Sequence, residues 1–168
     1  MADDDELMRE AIAAGWTARH QVSPRPWVGA VVVTPEGRRF SGATQGRHGA
    51  HAEGVALQAA EAAGATLEGA TMAVTLEPCA HHGLTPPCAE AIVTAGVRRV
   101  VLGVRDPDPR VAGRGVAILS DAGVAVQEGV RAAEVRQQLR PYLHHRRTGR
   151  PYVVLKAALS MDGRIAAP

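Results

Sequence analysis

Residues 71–104 read TMAVTLEPCAHHGLTPPCAEAIVTAGVRRVVLGV, and their pattern indicates the fold class. Apolar runs predict one strand over 71–76 and a second over 98–104. Between them, a loop rich in Pro, Cys and His leads into a predicted helix over 88–95, which Gly96 ends. A strand, a helix and a further strand in succession are typical of a sheet that is covered by helices.

Outside this stretch, the pattern predicts a β-hairpin followed by alternating helices and strands. The predicted elements are a helix over 3–20, strands over 28–34 and 38–43, helices over 51–63 and 116–122, a strand over 124–128, a helix over 130–139 and a strand-like run over 151–159. This order indicates an α/β fold with helices on both faces of a sheet. The last run has no partner downstream, so it must join the sheet, pair with another subunit or stay an exposed edge.

Composition and charge narrow the class of protein. A length of 168 residues is enough for one domain, or for one domain with a short appendage. The 19 Lys and Arg against 17 Asp and Glu leave a net charge of +2. No apolar run is long enough to cross a bilayer, and the acidic start at 3–6 is unlike a secretory signal. We therefore expect a cytoplasmic protein with no membrane contact. Basic residues cluster at 131–150, which we interpret as a solvated helix face, with a polyanion site as the alternative.

Three residues at strand–helix junctions form a candidate zinc site. His51 opens one helix, Cys79 follows a strand, and Cys88 opens the next helix. One His and two Cys suit Zn²⁺ and leave its fourth position for water, as catalytic zinc sites do. Glu53 follows His51 closely and can carry a proton from that water to a leaving amine. The order H-x-E, then P-C and a second Cys matches the signature of zinc-dependent deaminases, although eight residues separate the cysteines here instead of two.

Two other interpretations of these residues stay open. In a closed structural zinc site, His81 or His82 would be the fourth ligand, and Glu53 would then have no role. In the second interpretation, both cysteines are ordinary core residues and the His of the H-x-E motif lies on the surface.

The ordered motifs resemble the deaminase domain of the bifunctional riboflavin-biosynthesis deaminase/reductase family, within the cytidine deaminase-like superfamily. The segments that carry the resemblance are VGAV at 28–31, HAE at 51–53, TLEPCAHHG at 75–83, TPPC at 85–88 and DPDPRVAGRG at 106–115. Residues 150–166 resemble only the opening of the family's reductase domain. We therefore divide the chain into a deaminase domain over 1–145 and a short strand-like tail over 146–168, and we expect no reductase activity.

The resemblance implies a three-layer α/β/α fold around a five-stranded mixed sheet. It also implies a zinc-dependent hydrolase that removes an exocyclic amine from a pyrimidine- or purine-like ring, such as a riboflavin-pathway aminopyrimidine ribosyl phosphate, and releases ammonia. Carried over residue by residue, it assigns Zn²⁺ to His51, Cys79 and Cys88, proton transfer to Glu53, and a place beside the substrate ring to His81. By analogy, a homodimer or homotetramer is expected.

Three substrate-pocket positions depart from the family pattern. Arg25 replaces the Asn of P-N-P, Thr44 lies near the position of a family His, and Leu84 replaces an Arg or Lys. We interpret these changes as altered substrate recognition, in which the planar guanidinium of Arg25 donates a pair of hydrogen bonds to a phosphate or carboxylate. The alternative is neutral drift. Trp27 is a further candidate for substrate binding, because it precedes the first strand and can stack on a ring.

Two rival functions remain beside a small-molecule deaminase. A nucleic-acid base deaminase on the same fold needs a basic groove and stacking aromatics, but the chain has only two Trp, two Tyr and one Phe. A catalytically silent zinc module that serves assembly would leave Glu53 unused. We therefore expect a small nucleobase-like substrate and no nucleic acid.

Overall fold

The computed structural model describes residues 3–46, 48–81 and 86–165. Its centre is a five-stranded sheet with the strand order β2-β1-β3-β4-β5. The strands are β1 (Gly29–Val33), β2 (Arg39–Ala43), β3 (Thr71–Leu76), β4 (Arg99–Val104) and β5 (Ala125–Glu128). β1 runs antiparallel to β2 and β3, whereas β3, β4 and β5 run parallel to one another. The predicted five-stranded mixed sheet is therefore confirmed.

Helices cover both faces of this sheet. They are α1 (Asp4–Thr17), α2 (Ala52–Ala62), α3 (Cys88–Thr94), α4 (Arg114–Asp121), α5 (Ala132–Gln138) and α6 (Arg140–Thr148). α1 packs on the central strands and on α5, and α5 contacts α6. α2 packs on β1 and β2 and contacts α3, which in turn contacts α4. Every residue of β1 is buried, as expected for a strand that is covered on both faces. This arrangement confirms the predicted α/β class.

The first helix is tied to the sheet at its N-terminus and along its apolar face. The Asp3 side chain caps it by accepting a hydrogen bond from the backbone N–H of Asp5 at 3.2 Å. Both carboxylate oxygens of Asp4 accept hydrogen bonds from Arg99 of β4, each at 2.6 Å. A Cβ on Gly29 would lie 1.9 Å from the Ala11 carbonyl oxygen, so this glycine permits the close contact between α1 and β1.

The C-terminal helices differ from the prediction of one helix over 130–139. The structure has α5, a break at Leu139, and then α6, which the pattern did not predict. Pro141 lies in the first turn of α6, where its missing N–H leaves no intrahelical hydrogen bond unmade. The proline therefore ends α5 and starts a separate helix.

The strand-like run over 151–159 does not join the sheet in the described part of the chain, and its pairing with another subunit stays a prediction. Residues 151–160 have no strand partner, and Val153, Val154 and Leu155 are 78%, 75% and 90% exposed. An apolar run forms a strand only when its backbone pairs with a neighbouring strand. None of the described strands pairs with this run. Tyr152 contacts α6, where its hydroxyl accepts a hydrogen bond from Arg140 at 3.1 Å. The division of the chain at 145 stays a prediction.

None of the helices among the described residues is long and apolar enough to cross a membrane.

Candidate active site

The sheet topology brings distant loops to one edge. Leu76 and Val104 are register partners at the carboxyl ends of the parallel strands β3 and β4, and the backbone N–H of Glu77 donates to the Val104 carbonyl at 3.0 Å. Because β1 is antiparallel to β3, the start of β1 lies at the same edge. The loops that follow β2, β3 and β4 therefore converge where parallel strands end, which is the usual place for a site in α/β folds.

The three predicted zinc ligands meet at this edge. His51 is the N-cap residue of α2, and its Nδ1 lies 3.6 Å from Cys79 Sγ and 3.3 Å from Cys88 Sγ. One ligand atom from each of the three residues lies within 4.8 Å of the others. Both cysteines are free, and a nitrogen with two sulfurs is a donor set that Zn²⁺ favours. The residues present therefore fit this metal.

Hydrogen bonds within the cluster shift the pKa values of the two thiols in opposite directions. The Cys88 side chain and backbone N–H and the imidazole of His51 all hydrogen-bond Cys79, which lowers the pKa of its thiol to about 4 despite burial. The same hydrogen bond with Cys79, together with burial, raises the pKa of Cys88. The pKa of His51 is raised, chiefly by its hydrogen bond with Cys79. A thiolate is the form that binds metal, so the lowered pKa of Cys79 favours metal binding.

Glu53 lies in the first turn of α2 and lines the same cavity as His51 and Cys79. The side chain is buried, and this burial raises the pKa of its carboxyl, while the charge of His51 opposes the rise. A buried carboxyl that holds a proton more readily than usual suits the transfer of protons during a reaction. The position and environment of Glu53 are thus those of a general acid and base.

A cavity of about 260 Å³ opens beside these residues. Apart from the ligands, its lining includes Arg25, Thr44, His81, Asp106, Asp108, Arg110, Tyr142 and Arg146. The Nδ1 atom of His81 is buried and has no hydrogen-bond partner among the described residues. Because buried polar atoms are almost always paired, this nitrogen is available to a bound ligand.

Arg25 lines the cavity, but part of its guanidinium is already bound. Its Nη1 donates to the carbonyl oxygens of Gln45, Gly46 and Gly49 at 3.0, 2.9 and 3.0 Å. These residues belong to the loop between β2 and α2, just before His51. Arg25 therefore holds this loop in place.

The other predicted substrate residues lie in different environments. The buried Thr44 hydroxyl accepts a hydrogen bond from the Val28 backbone N–H at 3.2 Å, and the residue lines the cavity. Trp27 lies instead in the wall of a neighbouring cavity of about 580 Å³, with its ring centroid 5.6 Å from that of Trp16. Leu84 and His82 lie outside the described residues.

Glu77 is a structural residue that the sequence analysis did not single out. Its two carboxylate oxygens accept four backbone hydrogen bonds from the next loop and helix. The donors are Asp106 and Gly113 to Oε2, at 3.1 and 3.0 Å, and Gly115 and Val116 to Oε1, at 3.0 and 3.2 Å. Glu77 therefore fixes the loop after β4 against the segment that carries Cys79.

That loop and α6 supply the cavity wall that sequence reasoning missed. The Tyr142 hydroxyl donates to Asp106 at 3.0 and 2.9 Å to its two oxygens, and burial raises the pKa of the Asp106 carboxyl. Hydrogen bonds from Arg110 hold the pKa of the Asp108 carboxyl well below its usual range. The only signal was indirect, since the Asp-Pro repeat and the basic run at 131–150 contain these residues.

Comparison with known proteins identifies the class to which this site belongs. A family model described as the cytidine and deoxycytidylate deaminase zinc-binding region matches residues 1–104, more than half of the chain. The chain therefore belongs to this family of zinc-dependent deaminases, and its cofactor is Zn²⁺.

Similar proteins are found in riboflavin biosynthesis. The riboflavin biosynthesis protein RibD of Bacillus amyloliquefaciens is 43% identical over 163 residues, which cover 97% of this chain and 43% of that protein. RibD of Mycobacterium tuberculosis is 46% identical over 165 residues, covering 97% of this chain and 48% of that protein. The chain thus spans less than half the length of these relatives.

A solved structure is also similar. The crystal structure of a diaminohydroxyphosphoribosylaminopyrimidine deaminase/5-amino-6-(5-phosphoribosylamino)uracil reductase from Thermotoga maritima superimposes with a TM-score of 0.92 at 40% identity. The match covers 97% of this chain and 46% of that one. The resemblance inferred from the motifs is confirmed.

Proposed function

We propose that this chain is a hydrolytic deaminase of the riboflavin pathway, acting on an aminopyrimidine ribosyl phosphate and releasing ammonia. The observation that carries the proposal is the single cavity in which the His51, Cys79 and Cys88 cluster adjoins the buried carboxyl of Glu53. The names of the similar proteins, which include a phosphoribosylaminopyrimidine deaminase, support this choice of substrate.

In this mechanism, His51, Cys79 and Cys88 would hold Zn²⁺. When bound there, the metal supplies Lewis acidity that makes a water molecule nucleophilic at neutral pH. Glu53 accepts a proton from the water while the water oxygen bonds to the amine-bearing ring carbon. Glu53 then delivers that proton to the exocyclic nitrogen as the carbon–nitrogen bond breaks and ammonia leaves. The second proton of the water passes from the new hydroxyl group to the ring nitrogen, so that a ring carbonyl remains.

His81 and Arg25 have separate roles in the proposal. The unpartnered Nδ1 of His81 lies in the cavity wall and hydrogen-bonds the substrate ring. Arg25 keeps the loop before His51 in the shape that admits the ring, through its three backbone hydrogen bonds. Thr44 supports the same wall by its hydrogen bonds with Val28.

The character of the cavity favours a small molecule over a nucleic-acid base. Proteins that bind single-stranded nucleic acids stack successive bases on aromatic side chains along a groove. Among the described residues that line the cavity, Tyr142 is the only Trp, Tyr or Phe, and its hydroxyl is bound to Asp106. A row of stacking platforms is therefore lacking in this part of the structure.

Ammonia release by the zinc-loaded chain tests the proposal. The panel holds the riboflavin-pathway aminopyrimidine phosphate, guanine, cytidine and cytidine monophosphate. Glu53→Gln should retain zinc, measured by elemental analysis, and should lower the rate by about a hundredfold or more, because the proton carrier is lost. Glu61→Gln, on the exposed face of α2, is the matched control and should leave the rate unchanged.

Each outcome is informative. Turnover of the aminopyrimidine phosphate that disappears in Glu53→Gln supports the proposal. Turnover of only another ring would overturn the assigned substrate, in favour of altered recognition. Ammonia release that survives in Glu53→Gln would overturn the mechanism, and no release despite bound zinc would favour an assembly module.

A further inference from the structure

One wall of the catalytic cavity carries two arginines that share a single buried carboxylate. Arg110 binds both oxygens of Asp108, through Nε at 3.1 Å and Nη2 at 2.8 Å. Arg146 of α6 reaches the same carboxylate through Nη1 at 3.4 Å. The side chain of Asp108 is only 5% exposed, whereas those of Arg110 and Arg146 are 62% and 36% exposed. The carboxylate thus anchors two cations whose outer faces reach solvent.

The two guanidinium groups keep unused donors. Each carries five N–H groups. Arg110 donates to Asp108 through Nε and Nη2 only, and Arg146 forms an ion pair with Asp108 through Nη1. The position of Arg146 is further set by Tyr142, whose ring centroid lies 5.3 Å from the guanidinium carbon. Tyr142 is in turn held by Asp106. The arginines are therefore oriented before any ligand arrives, which reduces the entropy lost on binding.

Charge is distributed unevenly around Arg146. On the wall of the catalytic cavity, Arg110 and Arg146 lie with the two carboxylates of Asp106 and Asp108, so these four groups carry no net charge. Arg146 also lines the neighbouring cavity of about 580 Å³, where Arg19, Arg25 and His145 are further basic groups. Among the described residues that line that neighbouring cavity, none is an Asp or Glu. The space beyond Arg146 is therefore suited to an anion.

We propose that Arg110 and Arg146 form the subsite for an anionic substituent of the substrate, a phosphate monoester, while the amine-bearing ring lies at Glu53. This inference rests on the proposed function and assigns to particular residues the recognition of its phosphate. Planar guanidinium forks match phosphate oxygens, and hydrogen bonds between two charged groups are stronger than neutral ones. Asp108 acts as a positioning residue, because it orients both forks without itself facing the phosphate.

Calorimetric titration of the zinc-loaded full chain tests the subsite without relying on turnover. The probes are ribose 5-phosphate, ribose and inorganic phosphate. We expect ribose 5-phosphate to bind more tightly than ribose, and Arg110→Gln and Arg146→Gln each to weaken its binding by about tenfold to a hundredfold. Arg98→Gln is the matched control, since Arg98 is exposed, pairs with Glu68 and does not line the cavity.

A conservative variant separates charge from geometry. Arg146→Lys keeps the cation but loses the fork, so its affinity for ribose 5-phosphate should fall between those of the wild type and Arg146→Gln. Circular dichroism and thermal melting identify any variant that fails to fold. If Arg146→Gln fails to fold, the affinity of Arg146→Lys for ribose 5-phosphate is compared with that of the wild type instead. Equal binding of ribose and ribose 5-phosphate by the wild type, or unchanged binding in both glutamine variants, would overturn the subsite.

Kinetics distinguish failure of the subsite from failure of the proposed function. For the wild type, kcat/KM should be higher for the phosphorylated aminopyrimidine than for its dephosphorylated form, and this ratio should fall about tenfold in Arg146→Gln. A ratio that does not change in the variant sinks the subsite and leaves the deaminase intact. Absence of ammonia from every substrate counts against the proposed function, while the calorimetric result still decides on the subsite.

Discussion

Replacing Glu77 with glutamine tests whether one buried carboxylate holds the loop that builds the cavity wall. Glu77 is 3% exposed and accepts four backbone N–H groups, two at each oxygen, at distances of 3.0 to 3.2 Å. Their donors lie in the segment from Asp106 to Val116, which includes Asp108 and Arg110. The side chain therefore connects the loop after β3 to the loop after β4.

The expected cost of Glu77→Gln follows from counting these hydrogen bonds. Glutamine has nearly the same shape, but it replaces one acceptor oxygen with an NH₂ donor. Two of the four backbone N–H groups then face a donor, and each unsatisfied buried donor costs about 1–3 kcal/mol. The free energy of unfolding should fall by about 2–6 kcal/mol, a large part of the roughly 5–15 kcal/mol that is typical of a domain.

Urea denaturation of the zinc-saturated protein at pH 7, followed by circular dichroism, measures this loss. Glu68→Gln is the control, because Glu68 is 65% exposed and forms a surface ion pair with Arg98. The control should change the free energy of unfolding by less than about 0.5 kcal/mol. A loss of less than about 1 kcal/mol in Glu77→Gln would refute the assigned role of the carboxylate.

Three further predictions concern the first helix, a close backbone contact and the metal. Hydrogen bonds from Arg99 lower the pKa of the Asp4 carboxyl, so its stabilising effect is complete above the unfolded pKa of about 4 and is lost as the pH falls below it. Asp4→Asn should therefore lower the free energy of unfolding, measured by urea denaturation, by about 0.5–1 kcal/mol at pH 7 and by less at pH 3. An equal loss at both pH values would contradict the ion pair. A Cβ on Gly115 would lie 2.1 Å from the Pro78 carbonyl oxygen, so Gly115→Ala should destabilise the fold by about 1–3 kcal/mol and weaken zinc binding, both measurable by melting and metal titration. Removing zinc with a chelator should lower the melting temperature and make both cysteines reactive to a thiol reagent; thiols that react equally in the zinc-loaded protein would argue against the ligand assignment.

Local patterns in the sequence were sufficient for the element order and for the chemical core of the site. Apolar runs and glycine stops mark the strands and helices around the loop that carries Cys79, and the H-x-E and P-C motifs mark the metal ligands and Glu53. These features depend on residues close together in the chain. The structure places the predicted ligands and Glu53 beside one cavity, as the motifs indicated.

Other features depend on contacts that no local pattern encodes. The 151–159 run has the composition of a strand, yet in the described structure it pairs with neither edge strand of the sheet, β2 or β5. A single helix was expected over 130–139, whereas the structure breaks the chain at Leu139 and begins α6. The basic run at 131–150 was interpreted as a solvated face, although Tyr142 and Arg146 within it line the cavity.

Short motifs and periodicity are enough to infer the class of fold and the zinc-dependent chemistry, because both are encoded by residues close together in the chain. The set of charges that share the cavity depends instead on contacts between distant segments. Arg146 of α6 meets Asp108 of the loop after β4, next to the hydrogen bond from Tyr142 of the same helix to Asp106. The strength and effect of such a charge pair depend on distance and burial in space, and separation along the chain specifies neither.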